Sequence, residues 1–264
     1  MPQLALIVFT AFLVEAAAGF GSMVIALTVG ALFFTVEDLL LWLVPVNLVL
    51  SLYLVARSWK SIRWPFLLKG VAPLMGLGLL LGTLVATQAA NATWLKPAFG
   101  LFTIAVAIWQ LTSALKPATS EASPLPFPAR AAALLGAGAI HGIFATGGPL
   151  AVFVTARELP NKTEFRATLS MLWVAMNAAL LSAWALSGKF TQGSLKTSAL
   201  MLLPLAAGIA VGDWLHHRLD ERRFRITVAA MLLIAGAVLT ANSLSLRTRG
   251  EGRGEGPTEA QPTK

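Results

Sequence analysis

The sequence predicts an all-α, polytopic membrane protein of about eight hydrophobic segments in two four-segment repeats, inverted with respect to one another. Three observations carry this. Of 264 residues, 56% are hydrophobic and only 12% charged, about half the charged share of a soluble domain. The mean hydropathy is +0.74. All 20 Lys and Arg lie in or beside the breaks between apolar runs, which is how a membrane protein distributes its cations. That placement also turns the net charge of +8 away from nucleic acid. With no cysteine in the chain, thiolate metal sites, disulfides and thiol redox chemistry are excluded.

The apolar runs are Leu4–Val29, Leu39–Val55, Phe66–Thr87, Thr93–Leu115, Ala131–Thr155, Ala167–Ser187, Ser194–Leu215 and Phe224–Leu244. Each is near the ~20 residues a spanning helix needs. Met1-Pro2-Gln3 has no basic start, and the first run passes into a glycine break rather than a cleavage site. No cleavable signal peptide is expected. Residues 117–130 carry Pro117, Pro124, Pro126 and Pro128 and read as a linker. It separates a first repeat, 1–116, from a second, 131–245. Apart from Leu246, residues 246–264 hold no large apolar side chain and are expected to be a disordered tail.

The first segment of each repeat should be broken. In the second, Thr146-Gly147-Gly148-Pro149 interrupts Gly138 to Arg157. Glycine permits unusual backbone angles, and proline suits the first position of a new helix. Irregular backbone inside a bilayer survives only where protein or a wet cavity covers it. The half-helix starting near Pro149 would turn free N–H groups and its positive dipole end towards that cavity, where an anion is the natural occupant. The first copy is Gly19-Phe20-Gly21-Ser22, for Glu15 to Leu27 aligns with His141 to Phe153 at a shift of 126. Val46-Asn47 aligns with Met176-Asn177, and Gly78-x3-Gly82 with Gly208-x3-Gly212, at 130. The plainer account of each Gly-x3-Gly is close helix packing.

Charge placement favours inversion. Arg57, Lys60 and Arg63 crowd one gap, and Arg157, Lys162 and Arg166 another. If each broken segment returns to the face it entered, these gaps share the cytoplasmic side. Eight plain spans would set them on opposite sides. Inverted repeats whose breaks meet near mid-membrane are a common transporter plan, and rocking of one half against the other would alternate access.

Glu15, His141 and Asp213 are the ionisable groups within or near the ends of apolar segments. Embedded ionisable groups are functional candidates. Glu15 and His141 each precede a break glycine by six residues, and they are candidates for gating or proton coupling. Against this stands an aqueous position for Glu15 and a single structural hydrogen bond for His141. Asp213 near His216, His217 and Arg218 reads as a surface ion pair, and no metal site is expected, since adjacent histidines point apart on a helix. Asn47 and Asn177 either pack as polar glue or hold the ligand. Ser22 and Thr146 either cap helices or give a hydroxyl to an oxyanion. Arg166 stands at a helix mouth, with a topogenic role or an attraction for anions. Trp42, Trp59, Trp64, Trp94, Trp173 and Trp184 read as interface anchors.

No nucleotide loop occurs and no nucleophile or carboxylate pair converges, so neither an enzyme nor a cofactor is expected. The candidate substrate-binding set is Gly19, Phe20, Gly21, Ser22, Asn47, Thr146, Gly147, Gly148, Pro149 and Asn177. An anion channel could use the same dipoles, and a membrane-embedded enzyme subunit is the remaining alternative.

The glycine breaks, the Gly147-Gly148-Pro149 element and the loop from Arg157 to Arg166 with Phe165-Arg166-Ala167-Thr168 resemble the TauE/SafE family of bacterial membrane proteins, the sulfite exporters. The resemblance runs from about Leu4 to Leu244 and is most specific from Gly142 to Thr168. It implies a multi-pass secondary transporter of the inner membrane for sulfite or a related sulfur oxyanion or organosulfonate. The partners would be a small anionic solute and the lipid bilayer, with a homo-oligomer left open. Direction of transport and coupling ion are not implied.

Overall fold

The fold was described from a computed structural model, in which residues 1–18, 21–88, 95–115, 124–159, 161–216, 226, 229, 230 and 232–241 are described. In chain order the helices are α1 (Pro2–Ala18), α2 (Ser22–Gly30), α3 (Val36–Ser58), α4 (Trp64–Phe66), α5 (Ala72–Gln88), α6 (Leu95–Leu115), α7 (Phe127–Phe144), α8 (Gly148–Glu158), α9 (Lys162–Leu186) and α10 (Gln192–His216). A final helix, α11, covers Leu232–Ala241. A 3₁₀ turn at Trp59–Ser61 follows α3, and a π-type turn at Leu67–Val71 joins α4 to α5. There is no strand among the described residues.

Five stretches are long and apolar enough to cross a bilayer: Val36–Ser61, Trp64–Gln88, Phe127–Phe144, Thr163–Leu186 and Gln192–Gly212. Pro2–Ala16, Pro97–Thr112 and Leu232–Ala241 are shorter apolar helices. Burial ranks the spans. The apolar part of Val36–Ser61 is 56% buried, against 28% for Trp64–Gln88. So α3 is central, while α5 turns Leu77, Leu80, Leu81 and Leu84 outwards, the apolar exterior a lipid-facing helix needs.

Local sequence explains the ends. The Thr35 side chain accepts from Asp38 N at 3.1 Å, and Glu37 and Asp38 stand in the first turn of α3, a favourable place for negative charge. Asn161 Oδ1 accepts from Thr163 N at 2.9 Å and Glu164 N at 3.2 Å, starting α9. Pro45 lies inside α3 and gives up the bond to the Leu41 carbonyl. Ser198 Oγ of α10 lies 3.0 Å from Trp42 O, 3.1 Å from Ser194 O of its own helix and 3.4 Å from Leu41 O, so its one proton is available to the carbonyls beside the proline.

The tightest helix pair is α5 on α7. A Cβ at Gly78 or Gly82 would run into the α7 backbone at Leu135 and Ala139, and one at Gly138 or Gly142 into the α5 backbone at Met75 and Leu79. These glycines let the two backbones touch. In the same way α1 packs on α10, where Gly208 lies against the carbonyl of Phe9. Between these pairs α3 packs on α9.

Polar contacts fix the directions. Arg63 N donates to Thr168 Oγ1 at 3.0 Å, and Arg63 Nη1 lies 3.6 Å from Glu164 Oε1. The end of α3 therefore meets the start of α9, and these helices are antiparallel. Arg130 Nη1, at the start of α7, lies 3.3 Å from Glu158 Oε1, at the end of α8. The chain enters through α7, breaks, and returns through α8 to the same face.

Gly19 and Phe20, Trp94, residues 117–123 of the linker and the tail 246–264 lie outside the described residues, as do His217, Arg218 and the side chains of Asp213 and His216. Trp173 and Trp184 correct the expectation of interface anchors. They are 7% and 8% exposed and belong to the core, because α9 is an inner helix.

Candidate functional site

Two helix breaks face each other across the molecule. Gly21 carries φ 107° and separates α1 from α2, a left-handed conformation that glycine adopts freely. In the second break α7 ends at Phe144, and Ala145 takes φ 52° as its left-handed cap, its N–H bonded to His141 O at 2.7 Å. A side chain in this region is uncommon and marks a locally held backbone. Gly147 caps α8, and a Cβ there would collide with the Ala137 carbonyl. Gly148 differs, since its Cβ would only touch the Trp173 ring at 3.9 Å. One glycine serves close packing and the next leaves open space.

That space is a cavity of about 40 Å³, partly open to solvent. One water needs about 10–15 Å³ on this measure, so the cavity has room for a few waters or one small solute. Glu15, Gly21, Asn47, His141, Thr146, Gly148 and Pro149 line it, and all seven were singled out from sequence. Met23, Val24, Gln110, Ala145 and Trp173 complete the wall. Ser22 and Asn177 stand behind it in the hydrogen-bond chain, and Gly147 supports it through packing.

The first break is internally satisfied. Ser22 N donates to Glu15 Oε2 at 3.1 Å, and Ser22 Oγ donates to the same oxygen. Asn47 Nδ2 donates to Ser22 Oγ at 3.2 Å, and Asn177 Nδ2 to Asn47 Oδ1 at 2.8 Å. Every donor in this chain points towards Glu15, which is 3% exposed. Arg166 Nη2 donates to Ala16 O at 3.3 Å, at the C-terminal end of α1. Its place is therefore inside the structure, beside the first break.

The second break is not satisfied. His141, Thr146 and Asn177 are 2%, 3% and 1% exposed. Yet Thr146 Oγ1 has no hydrogen-bond partner, and the His141 ring has the Asn177 side chain as a polar neighbour with at least one of its nitrogens left open. Buried polar atoms are normally paired, so such a cluster marks a place for a ligand or water. His141 lies flat on Trp173, with centroids 5.7 Å apart and planes at 15°. The first intrahelical bond of α8 runs from Ala151 N to Gly147 O at 3.3 Å. Pro149 has no N–H, which leaves the Gly148 and Leu150 amides as the free donors of the first turn.

Sequence reasoning missed Trp173 and Gln110. Trp173 precedes Asn177 by four residues and so shares its helix face, a signal that the interface reading hid. Gln110 is an amide inside the apolar α6. Among the described residues, no three His, Cys, Asp or Glu side chains come together as a metal site.

A multi-pass helical body that holds a polar cavity between two interrupted helices is built as membrane transporters are. Comparison with known proteins gives the particular kind. Residues 4–239 match the model of the family described as Sulfite exporter TauE/SafE. The chain belongs to this family and is a multi-pass inner-membrane transporter. A relative in Comamonas testosteroni, called Probable inner membrane transporter protein TsaS, is 24% identical over 184 residues, covering 69% of this chain and 74% of its own. No solved structure matches.

Proposed function

We propose that the chain is a secondary carrier of a small anion, sulfite or a closely related sulfur oxyanion or short sulfonate. The solute sits at the N-terminus of α8. One observation carries this: the buried, unpartnered Thr146 hydroxyl and the buried His141 ring, with a nitrogen left open, line a cavity that also receives the first turn of α8. A helix N-terminus attracts anions through its free N–H groups and dipole. The Thr146 hydroxyl and the His141 ring add donors, and Trp173 closes the side. The family's printed description supplies the sulfur chemistry.

The architecture is read as two inverted repeats, 1–116 and 131–245, joined by the linker 117–130. The reciprocal packing of α1 on α10 and α5 on α7, the antiparallel α3 and α9, and the return of α8 to the face where α7 begins all support it. The shared face carries Arg57, Lys60, Arg63, Arg157, Lys162 and Arg166 and is assigned to the cytoplasm. Alternating access then exposes the cavity to each side in turn.

The test is uptake of radiolabelled sulfite, thiosulfate, sulfate and short sulfonates into proteoliposomes of the purified chain. Saturable uptake of at least one, competed by the others in excess, is expected. No uptake of any of them against empty vesicles would refute the solute class.

A further inference from the structure

The two breaks are related in sequence but not in chemistry. At the shift of 126 residues, Glu15 corresponds to His141 and Ser22 to Gly148. In the first break the α2 N-terminus already holds an anion acceptor: Glu15 Oε2 takes the Ser22 N–H and the Ser22 hydroxyl. Reaching from α1 across the break, this carboxyl fills the position in which an oxyanion would meet the first turn of α2. The chain from Asn177 through Asn47 to Ser22 runs donor to acceptor towards that oxygen, and the Arg166 guanidinium is held one residue along, on the Ala16 carbonyl.

In the second break the matching residue is an imidazole. It brings no negative charge to the Gly148 amide, and at least one of its nitrogens is left open in a residue that is 2% exposed. Thr146 Oγ1, also buried and unpartnered, lines the same cavity. One anion place is filled from within; its counterpart is left for something from outside.

We infer that Glu15 is a built-in surrogate anion that occupies the first of two related oxyanion places, so that the chain takes one solute anion, at the α8 break alone. This rests on the proposed anion reading of the cavity. The carboxyl sets the stoichiometry, because a free α2 N-terminus a few residues from the same cavity would accept a second oxyanion.

Counting bound anions tests it. Equilibrium dialysis of the purified full chain against radiolabelled sulfite should give one per chain for the wild type and two for Glu15→Ala. His141→Glu places a carboxyl at the corresponding position of the second break and should abolish binding at concentrations that saturate the wild type. Monodisperse elution and an unchanged helical spectrum establish that each variant is folded. Two sulfites on the wild type, one on folded Glu15→Ala, or undiminished binding by folded His141→Glu would each overturn the inference. Zero on the wild type would instead remove the anion reading on which it stands. If Glu15→Ala does not fold, the wild-type count and His141→Glu still decide.

Discussion

Asn177 Nδ2 donates to Asn47 Oδ1 at 2.8 Å, joining the middles of the antiparallel α3 and α9. Each asparagine lies one helix beyond a break, and Asn47 continues the chain to Ser22 and Glu15. The contact is therefore a bridge between the two halves of the sequence as well as a brace for the cavity.

Removing either amide strands its neighbour. Asn47→Leu and Asn177→Leu should each destabilise the protein by about 1–3 kcal/mol, the penalty for a buried polar group left unpaired. In a double-mutant cycle the two should couple by roughly 1 kcal/mol. Thermal unfolding in detergent measures this, and strictly additive losses would argue against an energetically meaningful bridge.

The adjacent glycines of the second break should separate folding from transport. Gly147→Ala drives a methyl into the Ala137 carbonyl and should lower yield and stability. Gly148→Ala meets only the Trp173 ring at contact distance, so it should insert and fold while sulfite affinity drops by tenfold or more. Gly148→Val fills more of the space and should abolish transport without loss of insertion. Uptake and elution profiles read the two effects independently, and full transport by Gly148→Val would remove the α8 break from the site.

Trp173 is a wall for His141 rather than an anchor at the lipid surface. Trp173→Phe keeps an aromatic face and should retain transport with a moderately raised KM. Trp173→Ala opens a void costing about 3–5 kcal/mol and should lose both stability and binding. Uptake kinetics alongside melting temperature check this. Equal transport by Trp173→Ala and the wild type would mean that the stack has no part in solute handling.

The native chain has no cysteine, which makes sidedness directly measurable. Single replacements Arg63→Cys, Arg130→Cys and Glu158→Cys should all react with an impermeant maleimide from one face, the cytoplasmic one. Arg130 and Glu158 lie at opposite ends of the α7–α8 sequence yet 3.3 Å apart. Labelling of those two from opposite faces would show that the segment crosses instead of returning.

Much of the fold was legible because a bilayer imposes strict rules. Apolar length marked the five stretches long enough to span, though it suggested eight segments and three of these hold only shorter apolar helices. Break chemistry was legible too, since Gly147-Gly148-Pro149 cannot continue a helix. What escaped was the identity of neighbours in space. The one hint at Trp173 was its four-residue spacing from Asn177, and it was masked because core and interface rings alike sit near polar residues on apolar helices. The capture of Ser22 by Glu15 was equally hidden, for it depends on how sharply the chain turns at Gly21, where φ is 107°. Nor did the Gly-x3-Gly motifs name their partners. Gly78 and Gly82 meet Gly138 and Gly142 from beyond the linker, and only three dimensions join them.

Those glycine contacts have a mechanical consequence. Where peptide planes from α5 and α7 rest directly on one another, no soft side chains remain to absorb a change of spacing. A stroke that parted residues 1–116 from residues 131–245 as blocks would have to shear this seam and the Phe9–Gly208 seam together. The stiff units are thus exchanged helix pairs, each taking one helix from either side of the linker, and any swing must run between them.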